Sequence, residues 1–80
     1  MKKYNDKPNI CGKLIEKHRL KKHYTKTKLC EKLELLGVNF TRDEIYKIEK
    51  QKMSLKDFEL IAFCIVLEIE INEILSLLEQ

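Results

Sequence analysis

From Ile10 onward the apolar side chains recur every three or four positions, and no stretch alternates with the period of two that marks a half-buried strand. Only two Gly and one Pro are available for turns, so a β-sandwich built on tight hairpins is not expected. The pattern predicts an all-α domain of five short helices. Eighty residues allow a single domain of this kind. The longest apolar run, residues 60–67, is far short of the roughly 20 residues a membrane span needs. The opening Met1-Lys2-Lys3-Tyr4-Asn5-Asp6 has no apolar core of the signal-peptide kind. Three cysteines, with no C-x-x-C pair, argue against a disulfide framework or a zinc ribbon. The expected setting is a reducing cytoplasm, with no membrane, metal, cofactor or small-molecule ligand implied.

Residues 1–9 are polar, hold Pro8 and read as a flexible N-terminal arm before a domain at 10–80. A first helix is expected at about 11–22, with Leu14, Ile15 and His18 inward. Thr25 is a good N-cap for a second helix carrying Leu29, Cys30, Leu33 and Leu36 on one stripe, closed by Gly37. Val38 and Phe40 plug the core from a connecting turn. Thr41-Arg42-Asp43-Glu44 is a capping box opening a third helix, with Ile45 and Ile48 inward. Ser54, three residues before Asp57, is expected to open the fourth helix, and the fifth covers about 71–78. His18 reads as a satisfied core histidine and Cys30 and Cys64 as small hydrophobes. Cys11 is expected at the surface and mildly reactive, but no His or Asp is spaced to make it a nucleophile. No catalytic constellation or Gly-rich phosphate loop is present in the sequence, so an enzyme is not expected.

The net charge of +3 hides an asymmetry. Residues 1–36 hold eleven Lys and Arg against four acids, whereas residues 37–80 hold five against nine. A basic half suggests a polyanionic partner, and a lysine-rich solvated surface is the alternative. Residues 60–67 are apolar on every side, more than so small a chain can bury. Self-association as a homodimer is therefore expected, through Ile65, Ile69, Leu75 and Leu78.

Cys11-Gly12-Lys13-Leu14-Ile15-Glu16-Lys17-His18-Arg19 and Tyr24-Thr25-Lys26-Thr27-Lys28-Leu29-Cys30 resemble the opening of the lambda-repressor/Cro-like (Xre) family. Arg42-Asp43-Glu44-Ile45-Tyr46-Lys47-Ile48-Glu49 is similar to that family's recognition helix. The likeness covers about residues 10–76. Residues 34–40 extend the connection between the second and third helices, as in one branch of the family. Cys30 stands where alanine is common, and Lys50-Gln51 replaces the frequent Asn-Gly or Arg-Gly, so the usual turn is not required there. The resemblance implies a compact five-helix lambda-repressor-like fold and a transcriptional regulator that reads double-stranded DNA with its third helix.

On that helix Arg42 and Lys47 can donate to guanine, Tyr46 can pack on a thymine methyl, and Asp43 can accept from cytosine N4. Thr25, Lys26, Lys28, Thr41, Lys50 and Lys52 are the candidates for holding phosphates. Lys26 and Lys28 sit at the positive end of a helix dipole, where free-protein stability prefers an acid and a docked phosphate reverses that preference. The resemblance implies an ion pair between Arg19 and Glu49, and the spacing of each from an inward isoleucine agrees. The rival reading is a protein-interaction module on the same fold that modulates another regulator. Asp43, Glu44 and the acidic second half favour it.

Overall fold

Each helix here starts where a side chain accepts an N–H of its N-cap or first turn, and the computed structural model shows which residues do so. It describes residues 5–79; residues 1–4 of the expected arm and residue 80 lie outside the described residues. The helices are α1 (Gly12–Lys21), α2 (Lys26–Glu34), α3 (Arg42–Glu49), α4 (Asp57–Leu67) and α5 (Ile71–Leu75), with a 3-10 turn over Ser76–Glu79. Among the described residues there is no strand, and no helix is long and apolar enough to cross a membrane. The all-α, five-helix reading holds.

Thr25 caps α2 by accepting the Lys28 N–H, and Thr41 with Glu44 forms the expected box at α3. At α4 and α5 a glutamate in the first turn accepts the N–H of the capping residue, Glu59 from Lys56 and Glu73 from Glu70. Ser54 therefore does not open α4; the start lies two residues later, at Lys56. The largest departure is Asn9. Its Oδ1 accepts the N–H groups of Cys11 and Gly12, while its Nδ2 donates to the carbonyls of Ile48 and Met53. Asn9 is buried and joins the start of α1 to the end of α3, so the last residue assigned to the arm belongs to the fold.

Four of the helix ends close through a residue in the left-handed region: His23 (φ 59°), Gly37 (φ 80°), Gln51 (φ 61°) and Glu68 (φ 56°). At Gly37 the closing bonds are Val38 N–H to Leu33 O and Gly37 N–H to Glu34 O, the Schellman pattern. Gln51 makes the same pair of bonds, Lys52 N–H to Lys47 O and Gln51 N–H to Ile48 O, so the turn expected to be dispensable there is made without glycine. In this motif the residue after the left-handed one folds back onto its helix. That is why Ile69, expected at a surface between copies, is only 6% exposed: it follows Glu68 and closes on Cys64 O. Val38 is buried in the same way after Gly37.

Ile15, Leu29, Leu33, Ile45, Ile48 and Phe63 form the centre of the core with no accessible surface, and the Phe40 ring lies 5.6 Å from that of Phe63. Leu36, expected on the inward stripe, is turned to solvent, because α2 ends at Glu34 and the chain bends into the Gly37 turn. Cys11 is buried, not surface-exposed, and burial pushes its thiol pKa up, as it does for Cys30 and Cys64. None of the three is a poised thiolate. His18 is buried as expected, with Nε2 2.9 Å from Glu73 Oε1, which ties α1 to α5. The Glu70 amide and then His18 hold the Glu73 carboxyl below its usual range. That contribution is complete at neutral pH and is lost as acid protonates Glu73.

Gly12 lies where α1 meets the end of α3. A Cβ there would collide with the Ile48 carbonyl and stand 2.9 Å from the Glu49 carbonyl. Gly12→Ala is expected to destabilise the domain by about 3 kcal/mol, since backbone on both sides must shift. His23→Gly is expected to act in the opposite direction, by about 0.5–1 kcal/mol, because relief of left-handed strain exceeds the added freedom of the unfolded chain. Thermal unfolding of the two variants checks both signs.

Candidate nucleic-acid interface

The first turn of α2 carries Lys26 and Lys28 and no acid, whereas α3, α4 and α5 each place a glutamate there. The free amides and dipole of α2 thus add to positive side-chain charge. Beside this terminus is a cleft of about 470 Å³ lined by Arg19, Thr25, Lys26, Thr27 and Arg42. Among the described residues no carboxylate lines it. Arg42 is the first residue of α3, so the cleft lies between the beginnings of α2 and α3.

Ile45 and Ile48 are fully buried, which fixes the rotation of α3 and leaves Arg42, Asp43, Tyr46 and Lys47 exposed along its outer side. Lys50 places its ammonium 5.8 Å from the centre of the Tyr46 ring, a cation–π distance that joins a phosphate candidate to a base candidate. Lys52 is exposed beyond the helix end.

The structure gathers the sequence candidates unequally. Thr25, Lys26 and Arg42 share the cleft. Lys28 does not line it, and its ammonium lies 3.9 Å from Glu31 one turn along α2. Thr41 does not line it; its hydroxyl oxygen accepts the Glu44 N–H as that of Thr25 accepts the Lys28 N–H, and each keeps its O–H to donate. Thr27, which is not among the sequence candidates, also lines the cleft; its place in the first turn of α2 beside two lysines is the signal that marks it.

Arg19 reaches the cleft from below while anchored to α3. Its Nε donates to Glu49 Oε2 at 2.6 Å, Nη2 to Glu49 Oε1 at 3.1 Å, and Nη1 to the Tyr24 carbonyl at 2.8 Å. Arg19 is 6% and Glu49 2% exposed, so the expected pair is present and is a buried, two-pronged one. It orients the two walls of the cleft at once: Tyr24 precedes the Thr25 cap, and Glu49 is the last residue of α3.

Among the described residues no three His, Cys, Asp or Glu side chains come together as a metal site. No protein family, characterised protein or solved structure compared with the chain matches it.

Neutralising either Arg19 or Glu49 alone is expected to cost about 3–5 kcal/mol, because the partner charge is then buried and unpaired. Replacing Arg19 by Met and Glu49 by Leu together is expected to recover much of the loss. A double-mutant cycle in chemical denaturation measures this coupling, and additive losses below about 0.5 kcal/mol would mean that the two charges do not interact.

Proposed function

We propose that the chain is a sequence-specific double-stranded DNA-binding transcriptional regulator of the lambda-repressor-like (Xre) type, with α3 in the major groove. The observation that carries this reading is the cleft shared by Thr25, Lys26, Thr27 and Arg42, with no carboxylate lining it among the described residues, set beside the exposed polar side of α3. An α-helix with its side chains is about 10–12 Å across, a diameter that a major groove about 12 Å wide admits. The order of helices and the resemblance of residues 10–76 also support it.

In this reading the start of α2 receives a backbone phosphate, with Thr25, Lys26 and Thr27 around it and the helix dipole favouring the anion. Lys28 turns from Glu31 to a phosphate at little cost, since an exposed pair contributes less than about 1 kcal/mol. Arg42 and Lys47 donate to guanine edges, Tyr46 meets a thymine methyl, and Asp43 is restricted to a cytosine N4 because phosphates repel it. Thr41, Lys50 and Lys52 hold the backbone at the two ends of α3. Two copies would read the halves of a pseudo-palindrome. DNA itself holds them close, so a small contact through exposed Leu75 and Leu78 suffices. The acidic first turn of α3, Asp43 and Glu44, and the acidic second half of the chain favour a protein-binding role instead.

With four lysines per copy on phosphates, duplex affinity is expected to fall by about 10³–10⁵ between roughly 50 and 200 mM salt. Lys26→Ala should weaken binding to all sequences alike and flatten that slope, whereas Arg42→Ala and Lys47→Ala should relax preference at single positions by about 1–3 kcal/mol. Selection of genomic fragments at two salt concentrations measures both. Absence of duplex binding at about 50 mM salt would turn the reading to the protein-interaction module.

A further inference from the structure

α4 buries Ala62, Phe63 and Leu67 but leaves Ile61 and Ile65 about 60% exposed. Between α4 and α5 runs an open apolar groove whose walls include Leu60, Ile61, Cys64, Ile65, Ile71 and Ile74. Ile61 and Ile65 also face a second apolar hollow with Leu36 and Phe58, so the apolar surface is continuous across α4. Soluble chains seldom leave a contiguous apolar surface of this kind without a partner.

The charge around the groove narrows what that partner is. Residues 57–80 contain six Asp and Glu and no Lys, Arg or His. Glu68 is held by Lys22, and Glu73 by His18 and the Glu70 amide. Glu70 is exposed between Ile69 and Ile71 at the α5 edge, and among the described residues it has no cation within 4.0 Å. Lys56 lies over the Phe58 ring at the far hollow, so the acidic edge is the one beside α5. A second copy seated here on a two-fold axis would bring this acidic segment against its own like, an arrangement that like-charge repulsion disfavours. A helix with Lys or Arg flanking its apolar side meets opposite charge along the same edge. The eleven residues of α4 give a groove wall about 16 Å long, enough for apolar anchors at i, i+3 or i+4, and i+7.

We propose that the α4–α5 groove docks an amphipathic helix of another protein, its apolar face flanked by basic residues. Ile65 is thereby assigned to a different partner from the one the sequence suggests. The groove shares no residue with the α2–α3 cleft, so the proposal is independent of DNA reading.

The test uses the full chain and a dye-labelled helical peptide of about 14 residues, with leucines at i, i+3 and i+7 and lysines beside them. A twin carries glutamates in place of the lysines. Fluorescence anisotropy should show saturable binding of the lysine peptide, at least about tenfold tighter than its twin and weaker at high salt. Ile65→Asn should weaken binding about tenfold or more, with unchanged helical circular dichroism because the side chain is already exposed. Glu70→Gln should weaken it less and reduce its salt dependence. Arg42→Ala should leave it unaltered. The proposal is overturned if the lysine peptide does not bind, if the twin binds equally, or if Ile65→Asn has no effect. It is equally overturned if sedimentation shows a dimer that Ile65→Asn dissociates, since the groove would then belong to a second copy.

Discussion

Arg19 and Glu49 are two full charges withdrawn from water where α1 meets α3, and the placement of α3 depends on how they are satisfied. Every arm of the guanidinium has an acceptor: two on the Glu49 carboxylate and one on the Tyr24 carbonyl. Such a pair adds little net stability, because desolvation offsets most of the attraction. Its effect is on geometry. A slide of α3 along α1 by one turn would strand both charges, at a cost comparable with the whole stability of a small domain. Asn9 and Gly12 reinforce the same seam, one by bonding to the Ile48 carbonyl and the other by letting the backbones approach without a Cβ between them.

Helices of five to eleven residues do not persist alone in water, so each depends on its ends and on its neighbours. Glutamates supply the beginnings of α3, α4 and α5. The ends are closed by left-handed residues, and three of these, His23, Gln51 and Glu68, carry side chains that disfavour that conformation. What offsets the strain at Glu68 is the residue that follows, since the turn returns Ile69 to the core. Gly37 performs the same service for Val38 without strain.

The distribution of charge over these termini separates two surfaces. Carboxylates neutralise the first turns of three helices, while α2 keeps lysines at its positive end and shares a cleft with Arg42. In the isolated protein that arrangement costs a few tenths of a kcal/mol for each cation. An anion at the cleft reverses the sign. The other surface is apolar, edged by an acidic segment, and built from α4 and α5.

Much of this organisation is written in short stretches of residues. Thr25, the Thr41–Glu44 box and the Gly37 turn act through bonds to backbone groups three to five residues away, so their roles follow from neighbours in the chain. The fully buried positions Ile15, Leu29, Leu33, Ile45 and Ile48 follow from helical periodicity for the same reason. The resemblance and the spacing from inward isoleucines imply the Arg19–Glu49 pair, but nothing in them points to the third partner, the Tyr24 carbonyl. Other features depend on contacts across the fold. Asn9 is an ordinary polar residue after a proline until Ile48 and Met53 are brought to it from some forty positions away. Ser54 and Lys56 both precede α4, and the choice of Lys56 follows from the reach of Glu59 to its amide. Gln51 adopts the turn that glycine usually makes because the end of α3 is pinned against Gly12 and Asn9. Periodicity predicts which side of a helix is apolar. Whether that side is covered, as at Ile69, or left open, as at Ile65, is decided only when the helices meet, because burial is a property of the neighbours a side chain acquires and not of the side chain itself.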